Sequence, residues 1–310
     1  MVHSPLIGPA QGYAHPSYAA SLAEFGAPRL LPRSGGWVLE REIQGTNERD
    51  AMGCYPIFAC QDWRGLEADL NEIDDLVCVS LVSDPFGACD EALLRRCFGE
   101  RTIGFKSHFV AELNGATEAI VSRHHRYYAK KALERVSVER CREPEVFLDE
   151  WLGLYAVLTA RHRLSGIKAF SRAAFAAQLR IPGVVVFRAT HDGETVGAHL
   201  WYLQGEVAHS HLAAVSPLGY ELMASYALYW SAMKSLAAEA RWLNFGAGSG
   251  LGDGDDQGLT RFKRGWSNGT RTAYLCGRIF NHQKYQEVVE AKRPSSATLY
   301  FPAYREGEFA

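Results

Sequence analysis

No apolar run in this 310-residue chain approaches the roughly 18 residues that a helical membrane span requires, so a membrane-spanning role is not expected. There is no C-x-x-C pair, and the seven cysteines (54, 60, 78, 89, 97, 141 and 276) are odd in number. That argues against a disulfide framework or a cysteine zinc cage and for reduced thiols; Cys78, inside an apolar run, reads as a core filler. The first twenty residues lack both a basic segment and a continuous apolar stretch, so no signal peptide is read and a cytoplasmic location is expected. Excess charge is also missing. With 33 Lys and Arg against 35 Asp and Glu, the net charge is −2, so a nucleic acid or an anionic membrane has to be read by a local patch. No G-x-G-x-x-G, G-x-x-x-x-G-K-[ST] or G-x-S-x-G occurs. The candidate GAGSGLG at Gly246–Gly252 has Leu251 where the third glycine would fall. Nucleotide-driven and serine-hydrolase chemistry thereby lose their main support.

What is present is ordinary globular material, 47 % apolar and 12 % aromatic, in a chain long enough for two domains. The first thirty-odd residues, rich in Pro, Gly and Ala, read as an irregular arm. GWVLERE, CYPIFAC and LVCVSLV read as strands, WRGLEADLNEID as an amphipathic helix, DPFGACDEALLRRCF as a turn and helix, and GFKSHFVAEL as a strand. Ser122 to Arg142 then carries seven Arg or Lys against two Glu, a local charge of +5, so the rest of the chain carries about −7. Beyond Pro144, the expected elements are a long helix (PEVFLDEWLGLYAVLTARH) and a shorter one capped by Ser171. Three strands (GVVVFRAT, TVGAHLWYL, EVAHSHLAAV) joined by tight turns follow. A helix over YELMASYALYWSAMKSLAAEA, the strands RWLNFG and RTAYLCGRIF, and a closing helix KYQEVVEAK complete the order. This predicts an α/β fold with mixed, mostly antiparallel sheets flanked by helices, divided into residues 1–120 and 121–310. His209 and His211 share one strand face with His199 on the neighbouring strand; a polar cavity or half-wet sheet face explains them more simply than zinc, and no metal is expected. His124 and His125 read as part of a solvated basic helix.

The order of elements, the R-x-x-R-x-x-x-K-K stretch and the late NFGAGSG…GLTRFKRGW segment resemble the FemABX and BioF2-like group of the GNAT superfamily, over roughly residues 120–290. The resemblance implies two GNAT-like halves, the first degenerate, and N-acyl transfer that forms an amide bond. It implies catalytic roles for Phe262 and Lys263, with the lysine holding negative charge on the ester carbonyl during attack. The chemistry supports such a role independently. An amine attacking an ester or thioester passes through an oxyanion, and a fixed cation there contributes on the order of 3 kcal/mol. The bland alternative makes Lys263 a surface charge in a basic RFKR cluster and Phe262 a core residue. Further along the same implication, the splayed middle strands near His211 to Ala213 offer a free backbone N–H. Trp201, Tyr202, His209, His211, Tyr220 and Tyr229 become candidates for the acyl and acceptor pocket, each with core packing as its alternative.

The acyl donor divides two readings. Acyl-CoA-dependent GNAT proteins carry Q/R-x-x-G-x-G/A where the central helix begins, so that backbone N–H groups hold the pyrophosphate. Here that junction, Ser216 to Ala224, keeps only Gly219, and Pro217 removes a donor. The Fem-type alternative uses aminoacyl-tRNA as co-substrate, with no further cofactor. For it, Arg123, Arg126, Lys130, Lys131 and Arg135, interleaved with Tyr127 and Tyr128, form a phosphate-neutralising patch, or else merely a solvated helix face. The acceptor is a small-molecule amine, a metabolite or a peptidoglycan-type precursor, and the acidic loop from Gly252 to Asp256 is a candidate to recognise it. Neither DNA nor a membrane is expected as partner. A non-catalytic RNA-binding module on a degenerate GNAT body is the reading from a different class.

Overall fold

A computed structural model describes residues 10–248 and 257–308; the acidic loop from Gly252 to Asp256 and the later part of the glycine-rich run lie outside the described residues. The chain forms two compact units, Met1–Phe105 with Ala273–Ala310, and Lys106–Thr272.

The first unit begins with more order than its composition suggests. A 3-10 turn, Gly12–Ala14, leads into helix α1 (Pro16–Ser21) and strand β1 (Ala27–Leu31). Pro16 stands in the first turn, where its missing N–H costs nothing, and the His15 ring accepts from Ser17 N at 3.1 Å. Buried Tyr13, Tyr18 and Leu22 anchor the segment, with Tyr18 donating to the Tyr55 carbonyl at 2.6 Å. The expected irregular arm is therefore a packed element; a Pro, Gly and Ala count does not register where its aromatics go.

Strands β2 (Gly36–Glu42) and β3 (Arg49–Gly53) complete an antiparallel meander with β1. Helix α2 (Leu66–Asn71) then carries the chain to β4 (Cys78–Val82), which runs parallel to β3. Cys54 to Cys60 is not the strand expected of it. The ladder position beside β2 belongs to Arg49–Gly53, Pro56 supplies no N–H, and Phe58 alone makes an isolated bridge, to Ser83. Helix α3 (Glu91–Cys97), capped by Asp90, precedes β5 (Arg101–Glu112).

The second unit contains α4 (Thr117–Ile120), α5 (Arg123–Leu133), β6 (Ser137–Arg140), α6 (Leu148–His162), α7 (Arg172–Gln178), β7 (Val184–His191), β8 (Glu194–Gln204), β9 (Val207–Val215), α8 (Pro217–Glu221), α9 (Ala224–Leu236), β10 (Trp242–Asn244) and α10 (Gln257–Arg264). Its strand order is β5-β10-β9-β8-β7-β6, antiparallel throughout except for the β10–β9 pair. The three strands expected as antiparallel neighbours are so arranged, and Ser171 caps α7 through Ala174 N at 3.1 Å. Between β8 and β9 the register shifts. Leu200 faces Leu212 and Trp201 faces Ser210, which leaves His211 as the extra residue of a bulge. The single helix expected from Tyr220 to Ala240 is two, because Met223 adopts φ 58° between α8 and α9. The core gathers Trp201, Leu228, Met233, Phe245 and Trp266.

The chain returns to the first unit within β11 (Gly269–Ile279), whose Leu275–Ile279 pair antiparallel with β4, and ends on α11 (His282–Lys292) and a 3-10 turn at Ala303–Arg305. The units thus divide at residues 105/106 and 272/273, inside strands, and not at the 120/121 change of charge. That change marks the solvent face of α5. The C-terminal turn is fastened by Asp50, which has no exposed side-chain surface. Its carboxylate accepts from Arg305 Nε at 2.8 Å and Nη2 at 2.9 Å and from Tyr304 Oη at 3.0 Å, with Arg41 Nε 3.3 Å away. Removing Arg305 leaves a buried carboxylate half-compensated by Arg41. Arg305→Ala should therefore lower the unfolding free energy by about 2–4 kcal/mol in urea titrations, and a change below ~0.5 kcal/mol would show that the tail is not fastened this way.

Candidate active site

Lys263 does not stand on a loop, as the glycine-rich lead-in suggested, but in the last turn of α10. Phe262 and Trp266 recur at helical spacing on the inward side, with Phe262 packed against the core and Trp266 fully buried within it. The helix is pinned from α5. Buried His125 donates through Nε2 to the Phe262 carbonyl at 2.9 Å, and its Nδ1 accepts from Ser122 Oγ at 2.9 Å. Gly265 is needed where it is, because a Cβ there would stand 2.1 Å from the His125 ring. Burial lowers the His125 pKa to about 4, keeping the ring neutral and able to hold both bonds. His125 is thus a docking residue and not part of a solvated face.

The Lys263 ammonium, half-buried, donates to the Ala247 carbonyl at 2.6 Å. Burial, and secondarily the charge of Lys106, lowers its pKa to about 8. Phe262 meets Tyr229 and Tyr226 edge-on at 4.9 and 5.1 Å. Behind the lysine stands a polar array on three adjacent strands: His108 on β5, Asn244 on β10 and His209 on β9, all buried. Asn244 Oδ1 accepts from Gly246 N at 2.9 Å and from His108 Nδ1 at 3.0 Å, while Nδ2 donates to His209 Nδ1 at 3.1 Å. Neither His108 nor Asn244 has a role legible in the sequence: Asn244 opens the quoted NFGAGSG run but reads only as part of it, and a His inside a strand carries no motif.

The remaining candidates divide. Trp201 and Tyr229 are core residues, and both pack on buried His199 with ring centroids 4.4 Å apart. His199 Nε2 bonds Ser210 Oγ at 2.8 Å. His211, at the bulge, faces Gln178 (3.3 Å) and the rings of Tyr202 and Phe170. His199 and His211 therefore meet different partners, and the three imidazoles do not converge. Tyr220 is apart from Lys263's contacts, exposed on α8 with the Arg161 guanidinium 4.1 Å above its ring. On α5, His125, Ala129 and Ala132 turn inward, leaving Arg123, Arg126, Lys130 and Lys131 exposed beside Tyr127, with exposed Arg135 just past the helix end.

The β9–α8 junction has its own hydrogen-bond pattern. Ser216 Oγ accepts from Gly219 N at 3.0 Å, and Pro217 has no N–H to offer. Gly219 is demanded by packing, since a Cβ would come within 2.1 Å of the Val196 carbonyl oxygen.

In sequence, residues 121–264 match the profile of the acetyltransferase (GNAT) domain family. No curated protein sequence matches the chain. Among solved structures it is similar to FemX, at 13 % identity and a TM-score of 0.65, over 88 % of this chain and 93 % of that one. It is also similar to the C-terminal domain of a putative lysylphosphatidylglycerol synthetase from Agrobacterium fabrum (16 %, 0.59, 88 % and 89 %). A third likeness is to L-PGS from Bacillus licheniformis (16 %, 0.52, 88 % and 93 %). At these identities the likeness is one of fold. The chain has a GNAT-like α/β fold in two halves, each a mixed and mostly antiparallel sheet flanked by helices, and no described helix is long and apolar enough to cross a membrane.

If His125 docks α10, its loss removes two hydrogen bonds and opens a cavity under Phe262 and Trp266. His125→Ala should lower the unfolding free energy by about 2–4 kcal/mol. His124→Ala, on the exposed side of the same turn, should change it by less than ~0.5 kcal/mol in the same urea titration. Equal effects would mean that His125 is not the docking residue.

Proposed function

We propose that the protein is an N-acyltransferase that moves an aminoacyl group from aminoacyl-tRNA to a small-molecule amine, a metabolite or a peptidoglycan-type precursor, forming an amide. The observation that carries this reading is the Lys263 ammonium, desolvated and aimed by the Ala247 carbonyl on a helix that the core and His125 hold rigid. The amine nitrogen attacks the ester carbonyl, and the carbonyl electron pair moves to oxygen. Lys263 stabilises that oxyanion, and collapse expels the tRNA ribose hydroxyl. A cation fixed beforehand and partly shielded from water acts more strongly than one in bulk solvent, on the order of 3 kcal/mol. Phe262 supplies an apolar wall beside it.

Aminoacyl-tRNA is preferred over acyl-CoA on two grounds. The exposed side of α5 presents four cations with Tyr127 among them, and Arg135 follows just beyond its end, a set suited to phosphates and unpaired bases. At the β9–α8 junction, where a pyrophosphate would need backbone donors, Gly219 N is already bonded to Ser216 and Gly219 answers to packing against Val196. The match to an acetyltransferase family profile favours acyl-CoA as the second reading.

The donor is decided by incubating the protein with a mixed, radiolabelled aminoacyl-tRNA pool, and separately with acyl-CoA pools, in the presence of amines ranging from amino sugars to lysine-bearing pentapeptides. Labelled amide should form from the tRNA pool. Consumption of acyl-CoA alone would overturn the preference. Lys263→Ala should lower kcat by about 10² or more without loss of folding.

Because the Lys263 pKa is lowered to about 8, the charged form is lost as pH rises through 8 and not through the ordinary 10.5. kcat/KM should accordingly fall above pH 8, and Lys263→Arg should abolish that limb whatever rate remains, since a guanidinium stays charged. A limb unchanged in the arginine variant would assign it to another group.

tRNA affinity should fall steeply with salt, with a log–log slope of about −3.5 to −4.5 for five phosphate contacts. It should collapse when Arg126, Lys130 and Lys131 are all changed to Glu. A flat salt series would remove tRNA as the donor.

A further inference from the structure

The orientation of the Asn244 carboxamide is fixed by a group that has no choice. A backbone N–H only donates, so the Asn244 atom 2.9 Å from Gly246 N is its oxygen. That same oxygen faces His108 Nδ1 at 3.0 Å, so Nδ1 carries the proton and the lone pair of His108 lies on Nε2. The amide nitrogen faces His209 Nδ1 at 3.1 Å, so His209 accepts there and is protonated on Nε2. Two buried imidazoles are thus held in opposite tautomers by one side chain. The side-chain hydrogen bond that His108 makes among the described residues runs through Nδ1, which leaves Nε2 without one there. Asn244 also braces the turn that aims the lysine, because its side chain holds Gly246 N two residues on, Ala247 comes next, and the position of a Gly246 Cβ lies 3.3 Å from Lys263 Nζ.

We propose that His108 is the proton carrier of the transfer, with Asn244 its positioning residue; this rests on the acyl-transfer reading above. As the amine nitrogen bonds to the carbonyl carbon it becomes cationic, and His108 Nε2 takes one proton from it. When the oxyanion collapses and the C–O bond to the ribose breaks, the imidazolium returns that proton to the departing oxygen. The products are an amide and a free hydroxyl, and His108 ends neutral as it began. The groups that face His108 are Lys263 from α10, His209 from β9 and Lys106 on its own strand; burial, and then these charges, hold its pKa near 4, so at neutral pH the ring is an acceptor. Lys263, as the cation, and His108, as the acceptor, therefore perform complementary halves of one step, and the lysine keeps the imidazole neutral.

Asn244→Asp separates this role from a structural one. Aspartate keeps every hydrogen bond of the array, because His209 can take the other tautomer and donate from Nδ1, but a carboxylate beside His108 Nδ1–H raises the basicity of Nε2. In the aminoacyl-tRNA assay with the amine panel, the acid limb of the kcat profile should move up by at least one pH unit in Asn244→Asp. The limb should vanish in Asn244→Asp combined with His108→Gln. His108→Gln alone should lower kcat at least 50-fold with KM within threefold, and nitrogen NMR of the wild-type protein should show His108 protonated on Nδ1 and neutral at pH 6. His108→Gln at wild-type rate, an unmoved limb in Asn244→Asp, or the opposite tautomer overturns the proposal while leaving acyl transfer standing. Absence of amide formation by the wild-type protein with tRNA and acyl-CoA pools alike overturns the acyl-transfer reading, and this one with it.

Discussion

The polar interior of the second unit depends on one carboxamide. Asn244 is the last residue of a three-residue strand, buried between two longer strands, and it satisfies two imidazoles and a backbone amide at once. Each of those bonds is worth only about 1 kcal/mol net, but an unmade one in this setting costs the full desolvation of the orphaned group. The array is therefore close to all-or-none. Replace the amide with an apolar side chain and the Gly246 N–H and both imidazoles lose a partner together, at the point where the backbone turns to meet Lys263. That turn is also held by the main chain, with Phe109 N donating to the Gly246 carbonyl at 3.0 Å.

Electrostatically, the region keeps its histidines neutral and tolerates one desolvated cation. Burial lowers the pKa of His108 and His125 to about 4, of His211 to about 3, and of His199 well below its ordinary value. For His108 and His199 the charge of Lys263 works in the same direction. A neutral imidazole is inexpensive to bury if both nitrogens are served, whereas an imidazolium near a lysine is not. The lysine in turn is lowered only to about 8, so at neutral pH most of it remains charged. A fixed charge surrounded by fixed, neutral dipoles needs little reorganisation when negative charge develops on a substrate, which is the condition for oxyanion stabilisation.

Much of this fold was legible because its signals are local. Alternation and tight turns gave β7, β8 and β9 almost to the residue, and Ser171 announced α7 by its own hydroxyl. The failures share a cause. Helix α10 hid behind a glycine-rich approach, yet Phe262 and Trp266 were already at helical spacing. Cys54 to Cys60 has strand composition, but its neighbour Arg49–Gly53 won the ladder position. Met223 breaks a helix that composition would have continued, by a left-handed backbone that no propensity predicts for methionine. At the candidate site, a motif singles out Lys263 and Phe262 in the sequence, and the structure adds their surroundings. His108, Asn244 and the docking role of His125 are tertiary facts: each matters because of a partner 136 or 137 residues away. Gly219 is the converse case. A glycine at a strand-to-helix junction suggests a phosphate, but the Val196 carbonyl accounts for it.

Helix α5 joins the two roles proposed for the second unit. Its outer side is a row of cations, and its inner side packs on α9 and, through His125, carries the carbonyl bond that holds α10 in place. An eleven-residue helix has too few positions to separate these tasks, so a polyanion bound to the outer side presses on the element that positions Lys263. The inner side resists such pressure, because Ala129 and Ala132 allow close approach to α9 and His125 fills the space that Gly265 leaves open. Close packing of this kind responds to load by shifting as a unit and not by yielding locally. Under the proposed function, donor binding and lysine placement meet in one short helix, and its two faces constrain each other's sequence.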